Sequence, residues 1–342
     1  MGGPRIAISL GDPSGIGAEV TGRALLRLRR ELVPLVFGDP RLFARELSLL
    51  DLPVLSPAEP IPRGGALVAV TRLRAADARP GRPAPAGGAA QLAYLEAAFE
   101  AVRRGEAAAL CTAPVSKAQV ARASPGFVGH TEWLEARCGV RRSVMMLAGK
   151  RLRVALVTNH VAFDRLRRAL STERIAETLI LTHRALKDLL GMKSPRLALA
   201  ALNPHGGEQG AFGREEASLL EPALARARAL GVLAAGPFPA DSVFFRAALG
   251  EFDAVVALYH DQGLIPVKLL DAVAKDPAVN VTLGLPIVRT SPDHGVAYDI
   301  AGQGRANPAS MIAALRLAAR MATQKGRRTP PRAVISSVRL RT

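Results

Sequence analysis

Short apolar runs alternate along this chain with longer amphipathic stretches. IAISL (6–10), PLVFG (34–38), ALVAV (66–70), AALCT (108–112), RVALVT (153–158), LALAAL (197–202) and AVVALY (254–259) have the length and continuity of strands buried on both faces. Between them, RALLRLRREL (23–32), QLAYLEAAFEAVRRG (91–105) and TERIAETLILTHRALKDLLG (172–191) repeat their apolar residues at helical spacing. Strands joined by helical crossovers predict an α/β protein with a mainly parallel sheet. ARPGRPAPAGGAA (78–90) is rich in Pro and Gly and predicts a loop, and QKGRRTPPRAVISSVRLRT (324–342) a weakly ordered basic tail. There is no internal repeat.

Open α/β sheets place their ligands at the carboxyl ends of strands. Several strand ends here are polar. RVALVT runs into Asn159 and His160, LALAAL into Asn203, Pro204 and His205, and AVVAL into Tyr259, His260, Asp261 and Gln262. Neutral imidazoles bind divalent ions, so His160, His205 and His260 are candidate metal ligands, although lone histidines at strand ends are common surface residues. His183 lies inside a helical pattern and reads as structural. NPHGGEQGAFGREE (203–216) sets a histidine among glycines with Glu208 and Arg214, a poor core segment and a close-approach turn. ISLGDPSGIGAEV (8–20) has the layout of a phosphate loop but matches neither G-x-G-x-x-G nor G-x-x-x-x-G-K-[ST]. A tight turn lining the cleft and a phosphate cradle both fit it.

Composition narrows the class. The chain has 342 residues, 49% hydrophobic but 4% aromatic, so Ala, Leu and Val must build its core. No apolar run approaches a membrane span, and the amino-terminal segment breaks too early on Gly-Asp-Pro for a secretory signal. Two cysteines, Cys111 and Cys138, are too few for a disulfide framework, so a reduced, cytoplasmic protein is expected. The 46 Lys and Arg against 29 Asp and Glu, formally +17, raise a nucleic-acid alternative. Scattered arginines, one Trp and three Tyr give bases little to stack on, so no nucleic acid and no membrane partner is expected.

DHGVAYDIAGQGRANPASMI (293–312) resembles the cofactor loop of the β-decarboxylating dehydrogenases for isocitrate and isopropylmalate. The resemblance places His294 and Gly295 along an adenosine, Asp299 on the ribose hydroxyls and Asn307 at the adenine. A carboxylate at 299 accepts from a ribose diol and repels a 2′-phosphate, which favours NAD over the alternative, NADP. A longer series in this order resembles a narrower family, the 4-hydroxythreonine-4-phosphate dehydrogenases of vitamin B6 biosynthesis. It runs from GDPSGIGAEV through TAPVSK (112–117), GHTEWL (129–134), VTNH, NPHGGEQG, PFPADSVF (237–244) and YHDQGLIPVK to NVTLGLPIVRTSPDHG (280–295).

The family resemblance implies an isocitrate/isopropylmalate-dehydrogenase-like fold, two α/β domains with a cleft between them. Residues 1–125 plus 290–330 would form the cofactor side, 126–289 the metal, substrate and dimerisation domain, and 331–342 the basic tail. It implies NAD-dependent oxidation of 4-phosphohydroxy-threonine at C3, then loss of CO₂ to give 3-amino-2-oxopropyl phosphate. His160, His205 and His260 would hold a divalent metal (Zn, Co or Mg). His130, Thr131, Lys268, Asn280 and Arg289 would touch substrate, with Lys268 and Arg289 able to hold its phosphate or carboxylate. Asp241 and Asp261 are candidate general bases or partners of the metal's ligands. A homodimer with its site at the subunit interface is implied. LLDAVAKDPAV (269–279) is longer than the family's usual connection, which bears on the substrate. Relatives acting on 4-phospho-threonate or erythronate are the nearest alternative. Lys268, Asn280 and Arg289 argue against relatives that take an unphosphorylated ring dihydrodiol.

Overall fold

The computed structural model describes residues 3–275 and 277–328, without the side chains of 45–47. The expected tail, 331–342, lies outside the described residues. One twelve-stranded sheet organises the chain. Its strands are β1 (Arg5–Ser9), β2 (Val33–Gly38), β3 (Val54–Leu55), β4 (Ala66–Ala69), β5 (Ala109–Thr112), β6 (Val144–Ala148), β7 (Arg153–Leu156), β8 (Leu197–Ala200), β9 (Ala234–Phe238), β10 (Ala254–Ala257), β11 (Val279–Leu283) and β12 (Arg289–Pro292). The spatial order is β3-β4-β2-β1-β5-β12-β11-β6-β7-β10-β8-β9.

Helices cover both faces: α1 (Gly17–Leu28), α2 (Ala44–Leu50), α3 (Pro85–Arg103), α4 (Lys117–Ala123), α5 (His130–Cys138), α6 (Leu166–Ala169), α7 (Thr172–Asp188), α8 (Glu221–Ala229), α9 (Ala240–Ala248), α10 (His260–Ala274) and α11 (Ala309–Arg328). All seven strands expected from the apolar runs are present. In β1, Ile6 and Ile8 pack with Leu25 and Leu28 of α1 and Leu315 of α11, whereas Ala7 faces Leu95 and Phe99 of α3. The two-residue alternation thus feeds two cores, as both-sided burial requires. Around β7 and β10, Val154 and Val255 pack with Val243 of α9 and Val267 of α10.

Three of the eleven strand pairings that make the sheet continuous are antiparallel: β6 with β7, β6 with β11, and β11 with β12. The expected division at 289/290 therefore falls on β12, which pairs β5 on one side and β11 on the other. The antiparallel strands matter for the site. β12 runs parallel to β5, so its carboxyl end reaches the same edge of the sheet, whereas β11 enters at that edge. Asn280 is thereby brought to the ends of β5, β7 and β10, and Arg289, which starts β12 beside Leu110, reaches Thr112 at the end of β5 with its side chain.

Two expectations need correction. The loop over 78–90 gives way to α3 at Pro85, where proline's fixed φ suits a first helical turn. Gly88, read as a breaker, sits so close to α4 that a Cβ there would lie 2.2 Å from the Gln119 carbonyl oxygen. The long connection expected over 269–279 is the other. Tyr259 precedes α10, which runs through Gly263 and Pro266 to Ala274. A Cβ at Gly263 would meet Leu156 at 2.7 Å and Val154 at 2.8 Å, so glycine lets the helix lie directly on β7. The residues counted as a long connection, 269–274, extend this helix.

Candidate active site

A cleft of about 400 Å³ opens where the carboxyl ends of β5, β7 and β10 meet β11 and β12. β5 delivers Thr112 and, beyond it, Lys117. β7 delivers Asn159 and His160, and β10 delivers His260. The amino end of α5 brings His130, Thr131 and Glu132. Asn280 of β11, Arg289 of β12 and the following His294 and Gly295 complete the lining. The volume suits a small, polar substrate.

Four lining residues carry a buried polar atom with no hydrogen-bond partner: Nε2 of His130, Oδ1 of Asn280, Nε of Arg289 and Nε2 of His294. Buried polar atoms are almost always paired, so such a concentration in one cavity marks a place for a ligand. Arg289 is 3% exposed. It donates to Thr282 Oγ1 at 3.1 Å and Thr112 Oγ1 at 2.8 Å, and no carboxylate pairs with it among the described residues. Burial lowers its pKa to about 10, which leaves it charged at neutral pH. A cation kept dry without an anion is a receptor for one.

Two imidazoles of the cleft are held neutral, His130 and His160. Burial, then the charges of Arg289 and Lys117, hold His130 well below the usual imidazole value. Desolvation, Lys117 and His260 lower His160. The His160 and His260 rings lie 5.6 Å apart. Nδ1 of His260 meets Asp261 Oδ1 at 2.7 Å, so the carboxylate orients the ring and leaves Nε2 available. Two imidazoles, one held low in pKa and the other braced by a carboxylate, fit a divalent cation. His205 is not with them. It is exposed, has φ 52°, and packs its ring against Phe212. Among the described residues, no three His, Cys, Asp or Glu side chains converge.

Thr131 lines the cleft as expected, and Lys268 does not. Its ammonium donates to the Asp293 backbone oxygen at 2.8 Å and pairs with the Asp293 carboxylate. Asp241 and Asp261 border a different groove, of about 640 Å³, with Phe245, Leu249, Ile265 and Leu269. Gln262, which sequence grouped with the polar strand end, is structural. Its Oε1 accepts from Leu258 N at 2.7 Å and its Nε2 donates to Ala201 O at 2.7 Å.

The 293–307 loop is anchored by the glycine turn that precedes α1. Ile16 N donates to Val296 O at 3.0 Å. A Cβ at Gly15 would sit 2.9 Å from that oxygen, so glycine is needed for the approach. Arg23 holds the Ala306 carbonyl at 2.8 Å, and Glu19 accepts from Ala306 N at 3.1 Å. Buried Asp12 accepts from Ser14 N at 2.8 Å, Gln91 Nε2 at 3.0 Å and Tyr298 Oη at 2.5 Å. Burial raises the Asp12 pKa against these bonds. The turn thus seats the loop. Gly295 faces open space and Asp299 is exposed, both free to meet a nucleotide. Asn307 Oδ1 accepts from Ala309 N at 3.0 Å at the start of α11, which leaves its amide nitrogen for a ligand. Lys117, Asp12, Gln91 and Tyr298 were not singled out by sequence reasoning. GDPSG and TAPVSK marked two of them, but only their spacing within the motifs, not their contacts, was legible.

The family model described as Pyridoxal phosphate biosynthetic protein PdxA matches residues 30–318. A protein of Desulfosudis oleivorans named 4-hydroxythreonine-4-phosphate dehydrogenase is 44% identical over 334 residues, covering 95% of this chain and 98% of that protein. The structure of a 4-hydroxythreonine-4-phosphate dehydrogenase from Klebsiella pneumoniae is 35% identical with a TM-score of 0.79, covering 93% of this chain and 99% of that one. That of a terephthalate 1,2-cis-dihydrodiol dehydrogenase from Burkholderia xenovorans is 30% identical with a TM-score of 0.67, covering 93% and 98%. The chain therefore belongs to the PdxA family of pyridoxal phosphate biosynthetic proteins.

Proposed function

We propose that this chain is a 4-hydroxythreonine-4-phosphate dehydrogenase. It oxidises the C3 alcohol of 4-phosphohydroxy-L-threonine with NAD and releases CO₂, giving 3-amino-2-oxopropyl phosphate for pyridoxine 5′-phosphate synthesis. The observation that carries this reading is buried, unpaired Arg289 on the floor of a cleft shared by neutral imidazoles and the 293–307 loop. An unphosphorylated ring diol could offer such a guanidinium only a carboxylate, not a phosphate.

His160 and His260 would hold a divalent metal (Zn, Co or Mg), with exposed His205 of a second subunit as third ligand. The metal supplies Lewis acidity to an alcohol oxygen, and NAD accepts hydride. His294, Gly295, Asp299 and Asn307 would hold the NAD. The chain's own residues do the rest. Arg289 fixes the phosphate and, with Asn280, Thr131 and His130, sets the orientation of C3. Neutral His130, with its free Nε2, accepts a hydrogen bond from a substrate hydroxyl or amine. Asp261 keeps the His260 ring aligned, and Asp241 is the remaining candidate base, reached across the subunit boundary. Residues 1–125 plus 290–330 would act as the cofactor side and 126–289 as the metal and substrate side.

An exposed apolar face supports a homodimer. Phe245, Leu249, Ile265, Leu269 and Val273, each more than 60% exposed, form an apolar face on α9 and α10, and α10 begins at His260. A second copy on that face would bury it beside the cleft. No described helix is long and apolar enough to cross a membrane. We place the enzyme in the cytoplasm with its small phosphorylated substrate. The test is NAD reduction and CO₂ release on a panel of 4-phosphohydroxy-threonine, 4-phospho-threonate, 4-phospho-erythronate and a cis-dihydrodiol. Preference for either sugar acid or for the diol would overturn the assignment.

A further inference from the structure

Cations around the cleft have different fates. Arg289 is buried in its floor, and Lys268 is taken up by Asp293. Lys117 lines the cleft, is exposed, and has no ion-pair partner among the described residues. Its place is fixed by the loop before it. Pro114 O accepts from Asp12 N at 3.0 Å, and Ser116 N donates to Gln91 Oε1 at 2.7 Å. Gly129, immediately before His130, makes room for it: a Cβ there would lie 3.3 Å from Nζ. Its charge acts on both His130 and His160, so the ammonium lies within reach of both.

The substrate of the proposed dehydrogenase has two anionic ends. We propose that Lys117 binds the carboxylate that leaves as CO₂, while Arg289 holds the phosphate, an assignment that rests on the dehydrogenase reading. The two anions make opposite demands. The phosphate keeps its charge throughout and suits a buried, forked donor. The carboxylate must lose its charge. Once C3 is a ketone, the C1–C2 bond breaks, its electron pair moves into C2–C3, the ketone oxygen takes the negative charge, and C1 departs as neutral CO₂; C2 later gains a proton. A buried bidentate guanidinium on C1 would stabilise the starting charge and oppose its loss. A single, water-accessible ammonium orients the carboxylate with less ground-state stabilisation. Lys117 is the cation of that kind in the cleft lining.

The test pairs Lys117→Met and Lys117→Arg with two probes, 4-phosphohydroxy-threonine and its C1 carboxamide, following NADH formation and calorimetric binding. Oxidation at C3 does not require the carboxylate, so both probes report. Lys117→Met should lose roughly tenfold to a hundredfold in kcat/KM on the acid and under about threefold on the carboxamide. Lys117→Arg should recover most of the loss. Equal losses on acid and carboxamide would overturn the assignment. Wild type that neither binds nor oxidises the phosphorylated acid would overturn the dehydrogenase reading, and the Lys117 assignment with it. Wild type that does both, with Lys117→Met unchanged, would overturn the Lys117 assignment alone.

Discussion

Replacing Arg289 with alanine removes the one fully buried charge that the cleft presents to a ligand. Among the described residues the guanidinium is satisfied by two threonine hydroxyls, at 2.8 and 3.1 Å, and its Nε has no partner there. Its burial is already unfavourable, as its lowered pKa shows. The folded state should therefore tolerate the change, because the lost hydroxyl bonds are offset by relief of a desolvated charge. Ligand binding should not tolerate it. A charge-assisted hydrogen bond contributes about 1.5–3 kcal/mol, and 1.36 kcal/mol is tenfold, so kcat/KM for the phosphorylated substrate should fall on the order of 10- to 100-fold. Part of the fall should be in kcat if the phosphate grip orients C3. The assay compares 4-phosphohydroxy-threonine with its unphosphorylated analogue in wild type and Arg289→Ala. The variant should be selectively poor on the phosphorylated compound. An equal loss on both would refute the phosphate assignment.

Other consequences are equally direct. Tyr298→Phe or Asp12→Asn loosens the anchor of the 293–307 loop, so the KM for NAD should rise several-fold, with far less change in substrate KM; the reverse pattern would remove the anchor's link to the nucleotide. Asp299→Asn should narrow the NAD/NADP ratio of kcat/KM, and a wild type that prefers NADP would contradict the placement of the ribose. Mixing His160→Ala with His205→Ala subunits should regain about a quarter of wild-type activity, since half the dimers are hybrids with one intact site each; no regain would refute a ligand set shared between subunits. Lowered imidazole pKa values mean the unfolded chain takes up more protons, so stability due to His130 and His160 is complete above pH 6.5 and is lost as the pH falls below it. Urea midpoints measured across that range should show the fall, and His130→Gln should flatten it.

The sequence by itself determined the α/β class, seven strands and two long helices, because continuous apolar runs and helical periodicity are local signals. It did not reveal β3, β6, β9, β11 and β12, or the antiparallel pairings made by β6 and β11. VNVTL and RTSP carry polar residues that read as loop until neighbouring strands satisfy their backbone. Gly88 read as part of a loop because its reason, like that of Gly263, is a neighbour's approach, Gln119 in one case and β7 in the other. The motifs were legible, but not their division of labour. His160 and His260 share a cleft because β7 and β10 are neighbours, and His205, at the end of β8 one strand further out, does not. Lys268 and Lys117 have the same chemistry on paper. Only the folded chain sets an Asp293 carboxylate against one and leaves the other facing the cleft, because charge pairing is decided by which loops meet in space.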